Sequence, residues 1–239
     1  MANPIPLEFD THKDMRVVTE PGEAYGDNIN LIAVVPREFT RLVANYPIVI
    51  AKDQKTGEFN FCVLTGFEKG ENLFLDGTYW DASYIPLEMQ RRPFFAATEE
   101  GSDKAVVYVD ADDPRAQSAT GERIFEASGE QTEYFRKVNG VLADLVVGIH
   151  EARRLMAALL EHDLVEPVRF NIKLASGKDG HFDGLYAIDD EKVAALEGDV
   201  LADLHKSGFL KIIHVQIASL VHIQSLIDRK NRRVLAQGA

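Results

Sequence analysis

The sequence predicts an α+β fold, in which antiparallel or mixed β-sheets are packed against two long helices of the C-terminal half. The patterns behind this class are short strand-like runs before residue 110, an alternating hairpin near residue 170, and two long helical stretches. In the first stretch, Glu133 to Leu160, apolar side chains recur at steps of three and four, which places them on one stripe of a helix. The stripe comprises Phe135, Val138, Leu142, Leu145, Ile149, Ala152, Met156 and Leu159.

Short apolar runs separated by turn-forming residues predict strands in the first 125 residues. The predicted strands are Met15 to Val18, Asn30 to Val35, Pro47 to Ala51, Phe59 to Thr65, Asn72 to Leu75, Ala105 to Val109, and Ile124 with Phe125. A short helix is expected from Pro36 to Asn45, because proline suits the first helical turn. The third and fourth strands flank the turn Lys55-Thr56-Gly57 and are expected to form a hairpin.

After the first long helix, strict alternation from Val168 to Leu174 predicts a half-buried strand. The chain is expected to turn at Gly177 to Gly180 and to return as a strand from Phe182 to Ile188. Asp189 suits the N-cap of a following helix, and a further short helix is expected to end at Gly208 in a left-handed conformation. The second long helix is predicted from Phe209 to about Arg229.

We expect a single domain over residues 1–239. The N-terminal strands and the long helices each have an apolar face, and neither half closes a core of its own, so the two are expected to bury these faces against each other. An alternative boundary is the polar loop Asp110 to Gly121. That boundary would separate a β-rich part, residues 1–110, from a helix–hairpin–helix part, residues 122–233.

The composition indicates a folded and acidic chain of 239 residues with a formal net charge of -12. Negative charge repels phosphates and anionic lipids, so nucleic acid and membrane surfaces are not expected as partners. No run reaches 18 uninterrupted apolar residues, so Phe209 to Ile227 is interpreted as a core helix and not a membrane span. Cys62 is the only cysteine, which fits a reducing compartment. With no secretory signal at the N-terminus, a cytoplasmic location is expected.

Recognisable catalytic motifs are absent from the sequence. It contains no phosphate-binding GxxxxGK[ST] or GxGxxG loop, no GxSxG elbow and no HExxH zinc helix. His214 and His222 would lie near one face of a helix, but two turns apart, so hydrogen-bonded histidines are favoured over metal ligands. The acidic cluster of Asp110, Asp112 and Asp113 is interpreted as a solvated loop. No metal and no cofactor is therefore predicted.

One constellation has the chemistry of a binding site. Aromatic rings and guanidinium groups recur within 14 residues, on a segment that Pro86 and Pro93 keep irregular. Such groups can hold a planar ligand, a carboxylate or a partner's peptide. The alternative is that Trp80 fills the core and the arginines form surface pairs. The candidate residues are Tyr79, Trp80, Asp81, Tyr84, Arg91 and Arg92.

Several local patterns along the chain resemble the SapC family of bacterial proteins. The resemblance lies in Tyr46 to Asp53, Gly70 to Asp76, Trp80 to Phe94, Gly184 to Leu196 and Leu204 to Leu220. It implies a bacterial accessory protein linked to surface-layer secretion, or to loci that encode TonB-dependent receptors for surface nutrient uptake. The family supplies no established catalytic residues, so none is carried over.

The favoured hypothesis is a non-catalytic protein that binds protein partners. An enzyme or small-ligand binder that uses the segment from Trp80 to Arg92 is the alternative. A homodimer built on one of the long helices is a third hypothesis.

Overall fold

The computed structural model describes residues 3–98, 105–173 and 179–237. The chain divides into two compact units built from interleaved segments. The first unit comprises Met1–Asn28, Leu75–Asp81 and Leu87–Val147, and the second comprises Ile29–Phe74, Ala82–Pro86 and Gly148–Ala239. The expectation of a single domain stays a prediction.

Small antiparallel sheets make up the β-structure of the first unit. Three strands pair in the order β1-β9-β8, β10 pairs with β2, and β6 pairs with β7 across the Asp76–Tyr79 turn. The bounds are β1 Pro4–Pro6, β2 Arg16–Val17, β6 Leu75–Asp76, β7 Tyr79–Trp80, β8 Phe94–Thr98, β9 Ala105–Asp110 and β10 Glu122–Arg123. The predicted strand at Asn72 is wrong, since the pairing starts at Leu75.

The core of the first unit forms where the sheets meet the first half of the long helix α4, Glu133–Glu161. The ring centroid of Phe135 lies 5.1 Å from the ring centroid of Phe94 on β8 and 6.1 Å from that of Phe125. The cluster comprises Val17, Phe94, Val109, Ile124, Phe125, Phe135, Val138 and Leu142. The shorter helices of this unit are α1, Phe9–His12, and α3, Leu87–Gln90.

A five-stranded antiparallel sheet organises the second unit, in the order β11-β12-β4-β5-β3. Its strands are β3 Leu31–Ala33, β4 Ile48–Lys52, β5 Phe59–Leu64, β11 Val165–Lys173 and β12 Asp179–Ile188. Both predicted hairpins are confirmed, because β4 pairs with β5 and β11 pairs with β12. Gly177 and Lys178 of the predicted turn lie outside the described residues, whereas Asp179 and Gly180 belong to β12.

Helices complete the second unit. Besides the C-terminal half of α4, they are α2 Phe39–Leu42, α5 Asp190–Ala194, α6 Gly198–Lys206, α7 Phe209–Ser219 and α8 His222–Gln237. Asp189 caps α5 by accepting a hydrogen bond from the Lys192 backbone N–H at 3.0 Å. Gly208 adopts the left-handed conformation expected of it, with φ of 77°. The long helical segment at Phe209 is confirmed, but a turn at Leu220 and Val221 divides it into α7 and α8.

Two buried side chains attach α7 to the sheet. The Gln216 amide nitrogen donates to the Ile48 carbonyl at 2.7 Å, and its oxygen accepts from the Ile188 backbone N–H at 3.3 Å. Ser219 Oγ accepts from the Ile48 backbone N–H at 2.9 Å. The register pairs Tyr186 with Ile50, so its continuation would pair Ile188 directly with Ile48. The Gln216 amide therefore takes the place of a strand-to-strand hydrogen bond.

The stripe of α4 follows a slightly different path in its C-terminal half from the one its spacing predicts. Gly148 is buried, whereas Ile149 is 45% exposed, so the prediction of Ile149 as a core residue is wrong. A Cβ at Gly148 would lie only 2.6 Å from Cγ2 of Val35. An α-helix has 3.6 residues per turn, so the stripe moves steadily round the helix. The glycine lets α4 pack closely against Val35.

Replacing Gly148 with alanine is expected to destabilise the chain, although alanine is the better helix former. Overpacking against a stiff, buried valine costs about 1–3 kcal/mol. The matched control is Gly140→Ala in the same helix, where nothing lies within 4 Å of an added Cβ. The control is expected to gain up to about 1 kcal/mol from helix propensity alone. Thermal denaturation followed by circular dichroism measures both, and a gain for Gly148→Ala would contradict the packing.

Candidate functional site

Tyr79 and Trp80 lie on the short strand β7 of the first unit and point to opposite sides of it. Tyr79 is 64% exposed and Trp80 only 5%, the alternation that a strand imposes. Asp81 follows on the surface. Trp80 is therefore a buried packing residue, and Tyr79 is the aromatic ring that this strand presents to solvent.

Arg91 is held by its own segment. Its guanidinium donates to both carboxylate oxygens of Glu88, with Nε to Oε2 at 2.8 Å, and to the Phe94 carbonyl at 2.8 Å. It also lies over the Phe95 ring, 4.3 Å from the centroid. These contacts fix the plane of the guanidinium and engage all three of its nitrogens, with Nε and Nη2 already binding the Glu88 carboxylate as a bidentate pair.

Arg92 pairs with distant carboxylates of the first unit. Its Nη1 donates to Oδ1 of Asp27 at 3.1 Å and to the Gly26 carbonyl at 3.0 Å. Its Nη2 lies 3.8 Å from Oδ2 of Asp113. Asp27 and Asp113 are buried, at 1% and 7% exposure, so Arg92 neutralises charge that the fold has removed from water.

Arg115 completes this cluster and is itself buried, at 5% exposure. It donates to Oδ2 of Asp27 and to the backbone carbonyls of Val18 and Glu20, at 3.1 and 2.9 Å. Its guanidinium lies 4.8 Å from the centroid of the Tyr25 ring. We refer to Asp27, Arg92, Asp113 and Arg115 as the buried ion network.

The interpretation of the Asp110 loop as solvated is wrong for Asp113, which is buried and accepts from the Arg115 backbone N–H at 2.9 Å. Sequence reasoning missed Asp27 and Arg115 entirely. They are 88 residues apart in loops without periodicity, and no local pattern marks a charge as buried.

Tyr84 belongs to the second unit. Its hydroxyl donates to Oε2 of the buried Glu38 at 3.2 Å, and Arg41 lies 5.4 Å from the ring centroid. Its backbone carbonyl accepts from the Tyr46 hydroxyl at 2.7 Å. Burial, followed by the Glu38 charge and hydrogen bond, raises the pKa of Tyr84 well above its ordinary value. Tyr84 therefore stays a protonated hydrogen-bond donor at neutral pH.

The two candidate histidines differ in environment. A ring nitrogen of His222 lies 2.7 Å from the Val43 carbonyl, whereas His214 is exposed on α7. In the part of the chain that the structure describes, no group of three or more His, Cys, Asp or Glu side chains is placed to hold a metal ion.

Cys62 lies in strand β5, where burial raises the pKa of its thiol from 9.0 to about 12. The reactive thiolate is therefore scarce at pH 8 in the folded chain. We expect iodoacetamide at pH 8 to label native Cys62 on the order of 1,000-fold more slowly than the urea-unfolded chain, because this pKa difference lowers the thiolate fraction by that factor. Mass spectrometry of timed samples measures both rates without ambiguity, because the chain has one cysteine. Equal rates would contradict the burial of the thiol.

The helical segment Phe209–Ala236 is long and apolar enough to cross a membrane by length and composition, with a mean hydropathy of 1.4 over an apolar window of 18 residues. Of that apolar window, 28% is buried inside the structure. Core helices of soluble proteins pass the same criterion. The interpretation as a core helix stays a prediction.

By its fold, the chain is an α+β protein of two compact units. The first unit contains the buried ion network in which Arg92 and Arg115 pair with Asp27. Comparison with protein families matches residues 7–226 to the family described as SapC. This match covers most of the 239 residues, and the chain belongs to the SapC family. Comparisons with curated proteins and with solved structures found no match.

Proposed function

We propose that this chain is a non-catalytic accessory protein that acts by binding protein partners, in surface-layer export or surface nutrient uptake. The observation that carries the proposal is the pairing of Arg91 and Arg92 with carboxylates of the same unit. Arginines that already neutralise internal carboxylates are poor receptors for a free ligand. Their arrangement suits a rigid scaffold better than an open site.

The energetic reason is the cost of unpairing buried charge. A ligand that recruited Arg92 would leave the buried carboxylates of Asp27 and Asp113 with one fewer cation, which costs free energy because the interior solvates charge poorly. A small carboxylate would have to repay this cost before it gained any affinity. A protein partner can instead bind exposed surface and leave the network intact.

Gentle co-purification of the tagged full-length chain from its native host tests this function. A stoichiometric protein partner that survives washing is the expected result. A chain that purifies alone would refute the proposal. The cytoplasmic location is part of the proposal and is tested in the same cells by fractionation. Light scattering at micromolar concentration tests the homodimer separately.

The alternative function is an enzyme or small-ligand binder. The observation that favours it is the Tyr84 cluster, in which a half-buried phenol contacts the buried Glu38 carboxylate and the exposed Arg41 lies over the ring. A thermal-shift screen of amino acids, 2-oxoglutarate, flavins and divalent metals tests it, because ligands that bind the folded state stabilise it. A shift that Tyr84→Phe abolishes would support this alternative. No shift with any compound would remove it.

A further inference from the structure

The C-terminal half of α4 exposes apolar side chains beside its buried face. Leu155 and Leu159 are fully buried at 0% exposure, whereas Ile149 is 45% and Leu160 47% exposed. Scattered apolar residues on a surface need no explanation, but contiguous ones do. The question is therefore whether Ile149 and Leu160 belong to one surface.

Helix geometry places them on one surface. At about 100° and 1.5 Å per residue, Ile149, Arg153, Ala157 and Leu160 fall within about 80° of the helix circumference and span about 16 Å. Arg153 and Ala157 are exposed between the two apolar ends. The aliphatic stem of an arginine covers apolar surface while its charged end stays in water. These residues, which we call the exposed strip, thus form three turns of continuous surface.

The charge of the strip is opposite to that of the chain. Arg153 lies at its centre, with Arg154 and His150 beside it. The nearby acids of α4 are Glu161 and Glu151, and Glu151 is already paired with Arg37 at 2.8 Å. Arg154 stacks 5.7 Å from the centroid of the Phe209 ring, and Arg153 forms no ion pair with any residue in the described ranges. The whole chain carries a formal net charge of -12. A local cationic and apolar strip on such a protein attracts a surface of opposite charge.

We propose that the exposed strip docks a three-turn amphipathic helix of another protein, whose apolar stripe is flanked by carboxylates. Ile149 and Leu160 would be the apolar anchors, and Arg153 would pair with a partner carboxylate. A second copy of this chain fits less well, because an antiparallel two-fold contact brings the arginines of the two strips together. This inference rests on the proposed function and names the surface through which it acts.

The experiment places a photo-crosslinking amino acid at Ile149 of the full-length chain, expressed in the native host. The control places it at Gln224, which is exposed in the same unit. Crosslinking from 149 alone is expected, to a peptide with an apolar helical stripe and flanking Asp or Glu. Crosslinks only to another copy of this chain, or to a peptide without that pattern, would overturn the inference.

Charge reversal tests the pairing itself. Arg153→Glu is expected to weaken the complex by tenfold or more, and replacing the crosslinked partner acid with lysine is expected to restore it. A triple variant, Ile149→Ser with Arg153→Glu and Leu160→Ser, separates the two proposals once circular dichroism shows its helicity unchanged. If this variant retains the partner of the wild-type chain, the strip is not the docking surface, while the accessory function stands. If the wild-type chain purifies without a partner, the proposed function itself fails.

Discussion

Replacing Asp27 with alanine is expected to lower the free energy of unfolding by about 3–5 kcal/mol, the cost of removing one partner of a buried ion pair. Asp27 is 1% exposed and accepts hydrogen bonds from Arg92, Arg115 and the Gly22 backbone N–H. Without it, the guanidinium of Arg115 stays buried and loses its carboxylate. The loss is large because the protein interior solvates a lone charge poorly.

Urea denaturation followed by Trp80 fluorescence measures this change, since the only tryptophan belongs to the same unit as Asp27. The matched control is Asp14→Ala, which removes an Asp–Arg pair with Arg123 at 3.3 Å on the surface of that unit. Exposed pairs contribute at most about 1 kcal/mol. If the two variants lost similar stability, the buried ion network would not stabilise the fold as described.

Replacing Gln216 with methionine is expected to lower the free energy of unfolding by about 2–6 kcal/mol, because it leaves two buried backbone groups without a partner and each costs about 1–3 kcal/mol. Methionine matches the shape of glutamine but neither donates to the Ile48 carbonyl nor accepts from the Ile188 N–H. The matched control is Gln224→Met on α8, where the glutamine is exposed and donates to Asp228 at 3.0 Å. The control is expected to change stability by no more than about 0.5 kcal/mol.

The variant Gln216→Glu adds a pH test of the same contacts. Its carboxylate can still accept from Ile188, but it cannot donate to Ile48 until it is protonated. Burial raises the pKa of such a carboxyl in the folded state above its unfolded value. Stability should therefore rise as the pH falls from 7 through the folded pKa, where the folded state binds the extra proton. A loss of stability over that range, relative to wild type, would contradict the proposed hydrogen bonds.

Where apolar residues recur at a regular spacing, the sequence predicts the strand or helix that they form. Alternation around Ile172 and Leu185 marks the β11–β12 hairpin, and steps of three and four mark α4. The Asp189 cap follows from a local side-chain-to-backbone contact that neighbouring residues decide by themselves. These features depend on residues a few positions apart, which is why a single sequence reveals them.

Ion pairs between residues far apart in the sequence cannot be predicted in this way. Arg91 and Arg92 are adjacent in sequence, yet one pairs with Glu88 three residues away and the other with Asp27, 65 residues away. The segment identified as a candidate site thus contains one buried packing residue, Trp80, and two arginines that form ion pairs within their own unit. Sequence spacing could not decide between the two interpretations, because it does not report which charges the fold buries.

By itself, the sequence determined the α+β class, the long helix, both hairpins and membership of the SapC family. The tertiary structure alone decided that Asp27 and Arg115 are buried together, that Gln216 substitutes for a strand contact, and that Ile149 faces solvent. The physical reason is that periodicity is a local property of the backbone. Burial and charge pairing depend instead on which distant segments the packed chain brings into contact.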